Sequence, residues 1–500
     1  MKTLLIITLC LFSSLQFFAQ EDATYFNEWI DYEQTYHKFY IEEDGLYRIP
    51  YSVLQENFAE KDITGFHLFN RGQEVPIYIS SNGELGSEDY IEFYGQKNDG
   101  YFDTQLFEDP AWQLTNRQSS FTNSAAYYLM WDDGFEGLRI EEVANELDTE
   151  LPEQEKYFLY ESARLYRNAF HVGTPTRVAS ADNPSAININ FAEFNNGEGL
   201  VSPIVQGETT RTYALSSLGL YQDSDAPKAN LSTRMIGQNN DFEVDNDHHI
   251  KVTINGNTYL DETYEGYNTP IYQTDVELAD LSETRTEVSY ESVGDLFTTS
   301  NQDWQSIAYT FLTYPRQFDF SVYAINEIQN ASEFYFELQH SNEAYFEVDH
   351  FNGGADAVLY DLTNSQRYLV SAEDEFYKIH LLKGTSMNDE GRQLFLANPE
   401  AGVKTIEALE TLQFTNYEAL ANQGNYILLS HPSLREGETD WVQTYGDYRS
   451  SDVGGNHEVT IVNIEELYDQ FAEGIQKHPL AIRHFINFAV DNWSINPEYL

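Results

Sequence analysis

From residue 36 to residue 416 the chain is interrupted every few residues by a turn signal, and the short runs between turns alternate apolar and polar side chains. Alternation with period two buries one face of a strand, and Asn-Gly or Asp-Gly between two runs supplies the positive φ of a tight turn. Such a chain folds into sheets. The runs His37-Lys38-Phe39-Tyr40-Ile41 and Leu46-Tyr47-Arg48-Ile49 flank Glu42-Glu43-Asp44-Gly45 and predict a hairpin. Further strands are expected at 66–69, at 75–79 after Arg71-Gly72, and at 90–94 after Asn82-Gly83. These make an N-terminal β domain over 20–150. Its end is the Glu-rich stretch 141–155, which carries no strand pattern and reads as a connection. Residues 151–420 repeat the pattern at intervals typical of a β-sandwich, with strands expected at 250–254, 318–324, 334–339 and 358–362. The run His249-Ile250-Lys251-Val252-Thr253-Ile254 before Asn255-Gly256 is the clearest hairpin of that region.

The pattern changes near residue 425. Tyr426-Ile427-Leu428-Leu429-Ser430 and Val459-Thr460-Ile461-Val462 are continuous apolar runs, as expected of parallel strands covered on both faces, and the interval between them has room for a helix. Pro479 then opens a helix on which Leu480, Ile482, Phe485, Ile486, Ala489, Val490 and Trp493 recur at helical spacing. Pro497-Glu498-Tyr499-Leu500 has the character of an approach to a third strand. Two parallel strands cannot close a core of their own, so residues 421–500 are expected to be the incomplete beginning of an α/β domain, with residue 500 a cut.

Residues 1–19 have the form of a secretory signal: Lys2, an apolar stretch over 4–18, and a cleavage site at Phe17-Phe18-Ala19. The mature protein is therefore expected to begin at Gln20, exported to the cell surface, the outer membrane or the medium. Cys10, the single cysteine, lies inside this signal, so residues 20–500 hold neither a disulfide nor a cysteine nucleophile. Lys and Arg number 27 against 82 Asp and Glu, a net charge of −55, which excludes nucleic acid as a partner.

Several groups invite a chemical reading. Asp245-Asn246-Asp247-His248-His249 and Lys97-Asn98-Asp99-Gly100-Tyr101-Phe102-Asp103 hold metal-ligand side chains, but their spacing matches neither a calcium loop nor a two-histidine helix, and turns are the plainer reading. Ser433 after His431-Pro432, and the pair His457 and Glu458, look like hydrolase parts, yet nothing in the sequence fixes a nucleophile, base and orienting acid in one place. His478 and His484 read as cap or surface residues of the last helix. Tyr and Trp on a sandwich can stack on sugar rings, but a core role is their default. No catalytic, cofactor-binding or metal-binding residue is assigned on this basis.

The words from Tyr426-Ile427-Leu428-Leu429-Ser430-His431-Pro432 through Tyr468-Asp469-Gln470-Phe471-Ala472-Glu473-Gly474 to Pro479-Leu480-Ala481-Ile482-Arg483 resemble the opening of the catalytic domain of gingipain-like cysteine peptidases. Gln470 stands where that pattern usually has an acid. Trp29, Glu43-Asp44-Gly45-Leu46-Tyr47-Arg48-Ile49, Asp89-Tyr90-Ile91-Glu92-Phe93-Tyr94-Gly95 and Ala125-Ala126-Tyr127-Tyr128-Leu129 resemble the PorU-type, sortase-like members of that group. The resemblance implies mainly β N-terminal domains followed by a caspase-like α/β domain with a parallel sheet. It also implies a cysteine nucleophile and histidine base on strands after residue 500, without a cofactor. The partners it implies are exported cargo proteins with C-terminal secretion domains and outer-membrane components of the type IX secretion system. A non-catalytic surface adhesin or glycan-binding sandwich, or a pseudoenzyme, is the alternative.

Overall fold

The computed structural model describes residues 24–174, 176–180, 183–189, 193–297, 302–324, 327–373, 376–384 and 391–500. The signal segment 1–19, with Cys10, lies outside them. The architecture is mainly β with a short α/β end, as the sequence pattern and the resemblance require.

Two sheets enclose the first core. One has the order Glu410–Leu412, Tyr36–Ile41, Ala125–Trp131, Phe66–Asn70, Gln73–Val75; the other has Val403–Thr405, Gly45–Pro50, Tyr90–Gly95, Tyr78–Ile79. The expected hairpin at 37–49 does not form: its two strands lie in different sheets and the three residues between them turn the corner. The reason is packing. Phe39 and Ile41 enter the core from one sheet while Tyr47 and Ile49 enter it from the other, an arrangement that closes a sandwich and that a hairpin cannot give. Residues 403–412 complete both sheets, so the sheets cross the division expected near 150.

Residues 151–420 contain two cores instead of one sandwich. The first lies between a sheet built on Trp304–Arg316 and a second sheet ordered Thr209–Ser216, Arg285–Ser292, His248–Ile254, Asn257–Tyr264. Here the Asn255-Gly256 hairpin forms as expected, with Ile254 paired to Asn257 and φ of 45° and 88° at the two turn residues. The second core belongs to a seven-stranded sheet running from Glu333–Leu338 to Ala344–Val348, and it is rich in phenylalanine. Glu141–Val143, expected as a connection, pairs parallel with Gln366–Glu373 as one of those seven strands. Its side chains are largely exposed, so it has no buried face to announce it. Fully buried Glu92 ties this sheet to the N-terminal sandwich, receiving Arg48 Nε at 2.5 Å and the Tyr360 hydroxyl.

The last region alternates strand and helix: Tyr426–Ser430, Trp441–Ser450, Val459–Asn463, Ile464–Phe471, Leu480–Asn492. The two strands are parallel, Tyr426 opposite Val459 and Ser430 opposite Asn463. Tyr499 bridges Tyr426 in parallel from the other side, where the third strand was expected. No helix of the described residues is long and apolar enough to cross a membrane.

Candidate functional site

The strand Tyr426–Ser430 is central in the α/β end, with Val459–Asn463 on one side and the segment at Tyr499 on the other. The chain therefore leaves the central strand in one direction, returns across it, and continues in the other. In open parallel sheets that reversal places the ligand crevice at the carboxyl ends of the strands. Here those ends are Ser430-His431 and Asn463-Ile464.

At this rim His431 Nδ1 accepts the Ser433 backbone N–H at 3.1 Å and lies 2.7 Å from Ser433 Oγ. Its other nitrogen, Nε2, is 3.2 Å from Glu465 Oε1. The backbone donor makes Nδ1 the acceptor, so the ring proton sits on Nε2 and faces the carboxylate. This places Ser433, His431 and Glu465 together, a grouping the sequence did not reveal because Glu465 arrives on the helix that follows the next strand. All three nevertheless stand in the open, His431 and Glu465 about half exposed, and the imidazole caps the 3-10 turn Pro432–Leu434. His457 and Glu458 lie at the opposite end of the strands. His457 packs against Tyr426 and Tyr499 and accepts Arg449 Nη2 at 3.0 Å, so it cannot serve Ser433.

The opposite flank is buried. The helix Ile464–Phe471 and the turn after it dock onto the N-terminal sandwich. Asp469 receives Lys38 Nζ at 2.9 Å and the Tyr128 hydroxyl at 2.8 Å, all three buried. The Tyr101 hydroxyl donates to Glu473 Oε1 at 2.5 Å, and Tyr32 to Gln470 Oε1 at 3.2 Å. Gly474 holds φ at 77°, where a Cβ would collide with the Ala126 methyl and come within 2.6 Å of the Tyr128 hydroxyl. Burial pushes the Asp469 carboxyl above its ordinary range, against the pull of Lys38. Burial also raises Glu473, against the hydrogen bond from Tyr101.

His478 and His484 belong to this docking face, not to the surface. His478 is fully buried, with Nε2 3.2 Å from Asp103 Oδ1 and Nδ1 accepting the Leu480 N–H. His484 stacks on Phe26 and bonds the Phe471 carbonyl, and burial lowers its pKa. The word at 97–103 is thus interface: Tyr101 and Asp103 reach the α/β end, while Asp99 pairs with Arg71 at 3.0 Å. The cluster at 245–249 is local structure. Asp247 accepts the N–H groups of Asp241 and Gly266, His248 lies 2.7 Å from Asp303, and His249 lies 2.7 Å from both Asp261 and Asp295.

The fold and rim define the opening of an α/β domain carried on β domains. Residues 419–500 match the family described as Peptidase family C25, the gingipain family. The structure also matches the crystal structure of dimeric latent PorU from Porphyromonas gingivalis, with a TM-score of 0.54 and 11% identity. That match covers 91% of this chain and 39% of the other, so this chain spans well under half the length of the protein it matches. The chain is PorU-like in fold and gingipain-like in its C-terminal segment. A CBM36-1 domain of a multidomain xylanase from the hindgut metagenome of Trinervitermes trinervoides matches 31% of this chain and 96% of its own at 12% identity, with a TM-score of 0.16. No curated protein matches the chain.

Proposed function

We propose that this chain is the N-terminal part of a secreted PorU-like cysteine peptidase or transpeptidase that processes proteins exported by the type IX secretion system. One observation carries the reading: a C25-type segment whose parallel sheet reverses direction at an open strand-end rim, in a chain with no thiol after Cys10. A thiol peptidase built on this sheet draws its cysteine and histidine from strands after Leu500, beside the rim at 430–435 and 463–465. The β domains hold that sheet in place. The thiolate attacks the peptide bond that joins the cargo to its C-terminal secretion domain, giving a cargo thioester and releasing the domain with a free amine that takes its proton from the histidine; water or an amine then resolves the thioester and frees the thiolate.

The test is cleavage of a cargo bearing its C-terminal domain by the protein expressed from the whole reading frame. The reading expects release of that domain and its loss after thiol alkylation. Cleavage that survives alkylation, or none by the folded protein, contradicts it and favours a binding protein or pseudoenzyme.

A further inference from the structure

In a chain with a net charge of −55, one groove stands out for holding no acid. It has a volume of about 520 Å³, and its lining includes Arg164, Arg285, Arg316, Ser162, Tyr160 and Tyr323 but no Asp or Glu. None of the three arginines pairs with a carboxylate among the described residues. Each guanidinium is instead held by an aromatic ring. Arg285 lies 4.0 Å over Tyr323, Arg164 4.5 Å over Tyr213, and Arg316 4.7 Å over Tyr160. Buried Arg316 is fixed further by the carbonyls of Asp319 and Ser321. Arg164 Nε is buried without a hydrogen-bond partner, and a buried unsatisfied donor requires an explanation.

The groove runs beside two sheet edges. Phe158–Leu165 pairs only with Trp304–Arg316, and Thr209–Ser216 only with Arg285–Ser292, among the described residues. An edge strand offers unpaired backbone groups to an extended segment, and a guanidinium offers a fork that fits a carboxylate. We propose that this groove binds an extended acidic peptide, whose backbone pairs with a sheet edge and whose carboxylates meet Arg164 and Arg285. The site lies in the β region and holds whether or not the whole protein is a peptidase. The overall negative charge does not forbid it. At physiological salt the screening length is about 8 Å, so a carboxylate inside the groove responds to the nearby arginines more than to distant acids.

The experiment is fluorescence anisotropy of the full-length protein with an end-blocked eight-residue peptide alternating Glu and Val. Arg164→Gln and Arg285→Gln are expected to weaken binding about tenfold each with thermal unfolding unchanged, and backbone N-methylation of the peptide to abolish it. Absence of binding, or binding by both variants as tight as that of the wild type, overturns the proposal. Displacement of the peptide by millimolar inorganic phosphate, or full binding of the N-methylated peptide, overturns it in favour of a site for isolated anions.

Discussion

The α/β end presents two sides of opposite character. Its docked flank buries Asp469, Glu473 and His478 against the N-terminal sandwich, while its strand-end rim leaves His431, Ser433 and Glu465 in solvent. The part of the gingipain-like resemblance from Tyr468 to Gly474 lies on the docked flank. It is occupied with holding two domains together. The rim, where parallel-sheet chemistry resides, carries only a capped turn. A motif can therefore identify a family through the way its domain is mounted, with the reacting groups elsewhere.

The contrast can be broken most severely at the buried charge. Asp469→Ala leaves Lys38 buried without its main partner and is expected to cost about 3–5 kcal/mol in urea unfolding. The double change Lys38→Met with Asp469→Leu removes both charges and is expected to recover most of that loss; an equal loss would show that the pair is more than a mutual neutralisation. Gly474→Ala combines positive φ with overpacking and is expected to cost about 2–4 kcal/mol, measured the same way. At the rim, His431→Ala removes one exposed turn cap, so a change below about 1 kcal/mol is expected. A larger loss there would erase the distinction between the two sides.

Titration sharpens the same comparison. Burial raises the docked carboxyl of Glu473 above its undocked value, so docking takes up protons there. Its contribution is greatest below the undocked value, near pH 4, and is lost as pH rises through the docked value. Thermal unfolding is therefore expected to shift upward as pH falls from neutral towards that range. The shift should shrink in Glu473→Gln, which cannot titrate.

Local signals in the sequence were legible wherever one turn or one periodicity decided the outcome. Asn255-Gly256 gave a hairpin because two residues set its φ angles, and the apolar runs at 426–430 and 459–462 gave parallel strands, with Ile427 and Val462 in the core and most of their neighbours half-buried. The corner at 42–44 was not legible, since an Asp-Gly turn fits a hairpin and a crossing between sheets equally well. Glu141–Val143 escaped because a short exposed strand has no apolar face. His478 and His484 looked superficial because Asp103 and Phe26, which bury them, lie hundreds of residues away. For the same reason nothing in the sequence paired Lys38 with Asp469.

Amide hydrogen exchange in the wild type and in Asp469→Ala tests most directly whether this flank joins the two domains. The account predicts that Tyr36–Ile41 and Ile464–Phe471 are protected together and lose protection together in the variant, while the amides at 433–435 exchange rapidly in both. If the variant keeps wild-type protection in both elements, the Lys38–Asp469 contact does not hold the domains, and the account of the motif is wrong.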